Sequence, residues 1–296
     1  MSAHAILARV GALASIFLLA LVVYLSLIRP WQLRWGATDE EASRSMPGDE
    51  ILQAPELNAT RGVTVRALPE EIWPWIVQMG DGRAGFYAYD WFDNGGRPSA
   101  TRIIPELQQL EAGDSIPLVA GRVYERVHSV DRLRSTVWIS TDQPTTGSWT
   151  WVLDPIDESH TRLITRLRGS YQWTSPIILF QFWIDWGDFP FMRKSMLGIK
   201  QRAEGEITDT FSGAVAEGVQ WGIALLEFLI AVWLMFRRRW WRPWLVALST
   251  GAVFGMIFYL TLPLWVGFLL LAMILLGLVW VHRTAEPLLN LKRSTP

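Results

Sequence analysis

Cysteine is missing altogether from the 296 residues. That excludes disulfides, a thiol nucleophile, iron–sulfur clusters and Cys-ligated zinc together. It leaves the compartment open, because a cysteine-free chain persists in either redox environment. Charge is also scarce, at 19% Asp, Glu, Lys and Arg against ~25% in soluble domains. Histidine occurs four times, as His4, His128, His160 and His282, with no HExxH or paired spacing. A His-rich metal site is therefore not expected. No serine sits in a GxSxG elbow, and no cofactor is expected. The shortage of charge does not signal disorder, since half of the residues are hydrophobic.

What is present is tryptophan, 18 residues of it, and a net charge of −1 that hides a split. Between Pro30 and Ala214 there are 18 Lys and Arg against 25 Asp and Glu. The basic excess lies in the flanking apolar regions. An acidic middle makes nucleic acid an unsuitable partner, because phosphate binding needs a basic patch. The lipid bilayer is the partner the flanks imply.

Val10–Ile28 carries no charge, and nineteen residues at helical rise reach about 28 Å, close to the ~30 Å hydrocarbon core. Its end, Tyr24-Leu25-Ser26-Leu27-Ile28-Arg29-Pro30, lacks the small residues of a signal cleavage site. Residues 1–29 are expected to form an uncleaved transmembrane anchor. A second span is expected over 219–236, carrying Glu227. The charge-free run from Trp244 to Val281 is too long for one span and has Pro263 at its middle. It is read as helices 244–261 and 264–281, so that 207–296 is a three-helix membrane region with a short basic tail. Trp240, Trp241, Trp244, Trp265 and Trp280 lie near segment ends, where aromatic belts form. Arg237, Arg238, Arg239 and Arg242 place that loop in the cytoplasm and the acidic middle outside. Arg29, Arg34 and Arg44, following the first segment, argue weakly the other way. Glu227 reads either as a proton or ligand site or as a carboxyl turned toward other helices. Gly251 and Gly255 form a GxxxG that suits packing within this bundle or a homo-oligomer.

The middle of the chain alternates. Arg61–Leu68 puts Val63, Val65 and Ala67 on one face, as a strand does. Pro69-Glu70-Glu71 opens a helix with the apolar stripe Ile72, Trp75, Ile76 and Met79. Gly80–Gly85 breaks it, and the aromatic stretch Phe86–Phe92 follows. Strands are expected over 115–119, 123–130, 134–141, 148–153 and 161–167. Met192, Met196, Ile199 and Ala203 then recur at helical spacing. Strand, helix, antiparallel strands and a long helix make an α+β domain. A curved sheet around a terminal helix encloses a concave apolar space suited to a small molecule.

The strings Trp73-Pro74-Trp75-Ile76-Val77-Gln78-Met79-Gly80 and Gly82-Arg83-Ala84-Gly85-Phe86-Tyr87-Ala88-Tyr89-Asp90-Trp91 resemble a membrane-linked branch of the START-like helix-grip superfamily (SRPBCC, the polyketide cyclase/dehydrase and lipid-transport group). The lead-ins Arg34–Glu41 and Met46-Pro47-Gly48-Asp49 fit as well, as does Met196–Lys200. The resemblance covers about 31–206, and the domain is placed at 30–206. It implies a curved antiparallel sheet around a long C-terminal helix, and an apolar or amphipathic, lipid-like ligand between them. A cyclase/dehydrase-type enzyme and a structural or regulatory protein with a filled pocket are the alternatives.

The candidate ligand-binding residues are Trp75, Gln78, Arg83, Tyr87, Tyr89, Asp90, Trp91, Trp149, Trp151, Met192 and Met196. If there is chemistry, Asp90, Tyr87 and His128 are the weak acid/base candidates. Each has a blander reading: His128 a surface histidine, Arg83 and Asp90 a pair locking their loop. Gly80–Gly85 matches GxGxxG but lacks the preceding strand and following helix of a dinucleotide site, so its glycines are read as a turn. Arg162, Arg166 and Arg168 alternate on one strand face, either solvated or an anion-binding strip. The apolar run 175–192 is read as a lid, an interfacial segment or core.

Overall fold

The computed structural model describes residues 15, 18–19, 21–119, 123–140, 147–170, 178–207, 211–237 and 241–283. Most of the expected N-terminal anchor lies outside the described residues. Its described end is a wide helical turn at Tyr24–Ile28 running into helix α1, Arg29–Leu33. Helix α2 is Asp39–Ser43, capped by Thr38, whose side chain accepts from the Glu41 N–H while the Glu41 carboxylate accepts from the Thr38 N–H.

The domain that follows is one six-stranded antiparallel sheet with helices on its inner side. Its strands are β1 Leu57–Val65, β2 Ser115–Val119, β3 Val123–Asp131, β4 Ser135–Ser140, β5 Gly147–Pro155 and β6 Thr161–Gly169. The order β1-β6-β5-β4-β3-β2 brings the first strand back against the last, from Leu57 opposite Gly169 to Val65 opposite Thr161. Between β1 and β2 lie helix α3, Pro69–Val77, and the short α4, Asp90–Asp93. Pro69 starts α3 because its missing N–H would be unsatisfied there anyway, and Glu71 accepts from the Leu68 N–H at 2.8 Å.

Helix α5, Ile178–Ala203, packs on β1 and α3. Sheet and helix close over one core that includes Ile72, Trp75, Met79, Trp138, Trp149, Trp151, Met196 and Ile199. This is the helix-grip arrangement, α+β as expected. The helical spacing noted at 192–203 is the second half of α5, which is described from Ile178 onward.

The outer sheet face departs from both readings of its arginines. It is neither solvated nor open to an anion, because residues 36–49 lie across it. Arg162 pairs with Glu41 at 2.6 Å, and Asp49 pairs with Arg166 at 2.7 Å and Arg168 at 2.6 Å. Thr150 donates to the Pro47 carbonyl at 2.9 Å. Met46 packs with Val152 and Ile164. Gly48 has φ +88, and a Cβ there would come within 2.7 Å of Val137, so the strap turns on a residue without a side chain.

Helices α6 (Phe211–Arg237), α7 (Trp241–Leu260) and α8 (Leu264–Arg283) follow. Among the described residues two helices are long and apolar enough to cross a membrane, Phe211–Leu234 and Leu264–Val281, where three of the four expected spans fall. The apolar part of α7, Trp244–Leu260, is shorter; its 17 residues reach about 26 Å, less than the ~30 Å core. The turn at Pro263 forms as expected, with Thr261 at φ +45. Gly251 and Gly255 do not pack within the bundle: a Cβ on either would meet nothing within 4 Å. Gly255 instead lines an open apolar groove with Tyr24, Ile28, Trp31 and Tyr259.

Glu227 is 3% exposed, and neither carboxylate oxygen has a hydrogen-bond partner. Its neighbours on the inner face of α6, Ala224 and Ala231, belong to apolar clusters with α7 and α8. An unsatisfied buried polar group costs about 1–3 kcal/mol. Glu227→Leu is expected to raise the thermal midpoint of the detergent-solubilised chain by several degrees. A fall would show that the carboxyl does necessary work there.

Candidate functional site

The turn that shapes the inner face begins at the end of α3. Gly80 and Gly85 pair across it, donating to each other's carbonyls at 3.2 and 3.1 Å. Gly80, Gly82 and Gly85 have φ of +136, +77 and +77, which non-glycine residues rarely adopt. The GxGxxG match is thus a turn, as read. Asp81 is tied to Arg97 at 2.5 Å. Arg83 donates to the Val77 carbonyl at 2.8 Å, so the expected Arg83–Asp90 pair does not form. Asp90 instead accepts from the Ser99 N–H at 2.9 Å and hydroxyl at 2.5 Å.

Tyr87 sits at φ +61, uncommon for a bulky residue. Its hydroxyl donates to the Trp75 carbonyl at 2.9 Å and accepts from Gln78 Nε2 at 3.0 Å. The Arg202 guanidinium lies 4.3 Å from its ring centroid. Burial pushes the Tyr87 phenol well above its ordinary range, so it stays protonated and acts as a pin for the turn. Burial also lowers Arg202, to about 10, which leaves it charged at neutral pH. Gln78 is fully buried and further committed, its Oε1 accepting from the Ile104 N–H at 3.0 Å. His128 is exposed on β3, next to the inward Val127. Of the three acid/base candidates, one is outside the grip and two are fixed by structural hydrogen bonds.

Tyr89 and Trp91 reach out of the domain. Tyr89 donates to the Phe258 carbonyl of α7 at 2.7 Å and stacks on the Phe258 ring at 4.8 Å. Trp91 donates to the Ala214 carbonyl of α6 at 2.8 Å. Lys194 of α5 pairs with Glu217 of α6, and Arg193 donates to Thr261. The grip domain is docked on the apolar helices through these contacts.

Two clefts meet at this loop. The larger, about 360 Å³, lies between α5, α6 and the Pro263 turn and includes Tyr87, Tyr89, Asp90, Lys194, Arg202 and Glu217. Its charged groups are already paired or hydrogen-bonded. The smaller, about 200 Å³, lies inside the grip, lined by Phe86, Ala88, Asp93, Leu118, Trp149, Phe191, Met192 and Ser195. Phe86 stacks over Trp149 with centroids 6.2 Å apart. Ser195 donates to the Phe86 carbonyl at 2.6 Å. Of the expected lining residues, Trp149 and Met192 face this cleft, whereas Trp75, Gln78, Trp151 and Met196 are core around it.

The sequence reading missed Asp93. Its Oδ2 accepts from the Tyr89 N–H at 3.1 Å, while Oδ1 is buried and has no hydrogen-bond partner. Burial, with nearby Asp90 adding, pushes the carboxyl up to about 7. The available signal was a second acid three residues after Asp90 in an aromatic stretch. Among the described residues no group of three or more His, Cys, Asp or Glu is placed to hold a metal ion.

No family model matches the sequence, and no curated protein does either. Solved structures that match part of the chain include a START superfamily protein from Mycobacterium smegmatis, 11% identical over 51% of this chain and 99% of its own, with a TM-score of 0.32. CalU16 from Micromonospora echinospora is 13% identical over 54% of this chain and 82% of its own, at 0.31. A hypothetical protein from Helicobacter pylori is 10% identical over 56% of this chain and 99% of its own, at 0.39. The helix-grip character of the domain stands on its own strand order and helix packing.

Proposed function

We propose that the chain is a membrane-attached binding protein whose helix-grip domain holds one small apolar or amphipathic molecule. The observation that carries this reading is the 200 Å³ apolar cleft between Trp149 on the sheet and Met192 on α5. Its size limits the ligand. Drug-sized ligands occupy pockets of about 300–1,000 Å³, whereas an apolar cavity near 150 Å³ takes benzene. The expected sterol- or lipid-sized molecule does not fit whole, because Trp138, Trp149 and Trp151 fill the sheet interior. A single ring, or the end of a chain, does.

Membrane attachment is supported by the two long apolar helices and by Trp265 and Trp280 near the ends of α8, both more than half exposed. The basic residues Arg237 to Arg242 favour an extracytoplasmic grip domain. Phe191, which lines the cleft, also packs edge-on against Phe258 at 5.9 Å. The ligand site therefore adjoins the face that meets the membrane helices.

A thermal-shift panel of toluene, indole and short alkanols on the full chain in detergent tests this. A ligand at 100 times its Kd stabilises by about 2.7 kcal/mol. At least one probe is expected to raise the midpoint of the native chain by several degrees and to lose that effect in Ala88→Leu, which fills the cleft. No shift with any probe would favour the alternative of a packed structural domain.

A further inference from the structure

We propose that Asp93 is the polar anchor of the cleft and that the site selects small apolar molecules carrying an ammonium group. The proposal rests on the ligand-binding reading and names the ligand's chemistry. Four observations carry it. Asp93 lines the cleft, and its Oδ1 is buried with no hydrogen-bond partner. Its other oxygen is held by the Tyr89 N–H, which fixes the carboxylate in place. The other polar side chain of the wall, Ser195, spends its proton on the Phe86 carbonyl. Lys194, whose charge acts on Asp93, is paired with Glu217 and lies over the Tyr89 ring, 4.0 Å from its centroid.

A carboxylate in an apolar wall with an unsatisfied acceptor is costly until a donor reaches it. An ammonium on an aromatic or short alkyl body supplies that donor through a charge-assisted bond, while the body fills the space between Trp149, Phe86 and Met192. A neutral hydrocarbon gains only the second contribution. An anion meets repulsion from Asp93 and from Asp90 on the same short helix.

The charged and titratable groups facing Asp93 are Asp90 on α4, Lys194 on α5 with its partner Glu217 on α6, and the Tyr89 phenol, which burial holds protonated. Asp93 titrates at about 7. Ammonium binding is accordingly stronger on the alkaline side, where the carboxylate is ionised.

The test compares benzylamine, benzyl alcohol and toluene by calorimetry on the full chain in detergent, native and Asp93→Asn, at pH 5.5 and 8. Benzylamine is expected to bind the native chain at least tenfold tighter at pH 8 than at pH 5.5, and at least tenfold tighter than it binds Asp93→Asn. Toluene should bind both chains alike at both pH values. The pH comparison uses the native chain alone, so it stands even if the variant folds poorly. Toluene binding with no preference for benzylamine would overturn the role of Asp93 and leave the cleft as a ligand site. No binding by any of the three would overturn the ligand-binding reading and this proposal together.

Discussion

Replacing Asp188 by leucine lowers the stability of the chain by about 3–5 kcal/mol, the usual cost of leaving one member of a buried ion pair without its partner. Asp188 Oδ2 meets Arg61 Nη1 at 2.6 Å, with 8% and 1% of the two side chains exposed. Arg61 lies on the inner face of β1, and its Nε donates to the Gln32 carbonyl at 2.9 Å. Its guanidinium carbon stands 5.4 Å from the Phe189 ring centroid. Phe189 in turn packs against Trp31 at 4.9 Å and Tyr259 at 4.8 Å. One arginine therefore ties β1, α1, α5 and α7 together. The thermal midpoint in detergent should fall by roughly 6–20 °C. The double variant Arg61→Met with Asp188→Leu should recover most of the loss, because it buries no lone charge. Equal losses in the single and double variants would show that packing, not the unpaired arginine, sets the cost.

Arg166→Met is expected to be comparably destabilising for a different reason: Asp49 keeps Arg168, but the other acceptors that Arg166 serves lose their donor, at about 1–3 kcal/mol for each one left buried and unsatisfied. Arg166 is 3% exposed. It donates to Thr60 Oγ1 at 2.8 Å, Asp49 Oδ2 at 2.7 Å, and the carbonyls of Glu41, Ala42 and Arg44 at 2.8, 3.1 and 2.9 Å. Burial lowers its pKa without threatening its charge, since Asp49 pulls the other way. Methionine keeps the stem and loses all five bonds. The strap over 36–49 should then lift, and trypsin should cut after Arg44 much faster than in the native chain. An unchanged digestion rate would show that Arg162 and Arg168 hold the strap without it.

These two arginines also mark where sequence reasoning stopped. On β6 the alternation of Leu163, Thr165 and Leu167 with Arg162, Arg166 and Arg168 was legible as a strand with one apolar face. Periodicity reports only that the two faces differ. The strap covering the outer face lies more than a hundred residues upstream, so nothing local distinguishes a covered arginine from a solvated one. Arg61 was hidden similarly, its partner Asp188 being 127 positions away. Local signals did place the start of α3 at Pro69, the glycine turn after it and the hairpin at Pro263. Among the described residues they counted 244–261 as a span where the apolar helix is shorter, because a charge-free run does not say how many of its residues a helix uses. At the site, Trp149 and Met192 were legible as inward aromatic and helical positions. Asp93 was not, because the cleft it lines is closed by Trp149 and Phe191, which lie far along the chain.

The most direct test is native mass spectrometry of the full chain purified gently in detergent, beside Ala88→Leu. The account predicts one additional small species on the native chain, absent from the variant, with an apolar body and an ammonium group. Only the same bulk lipids on both proteins would contradict it.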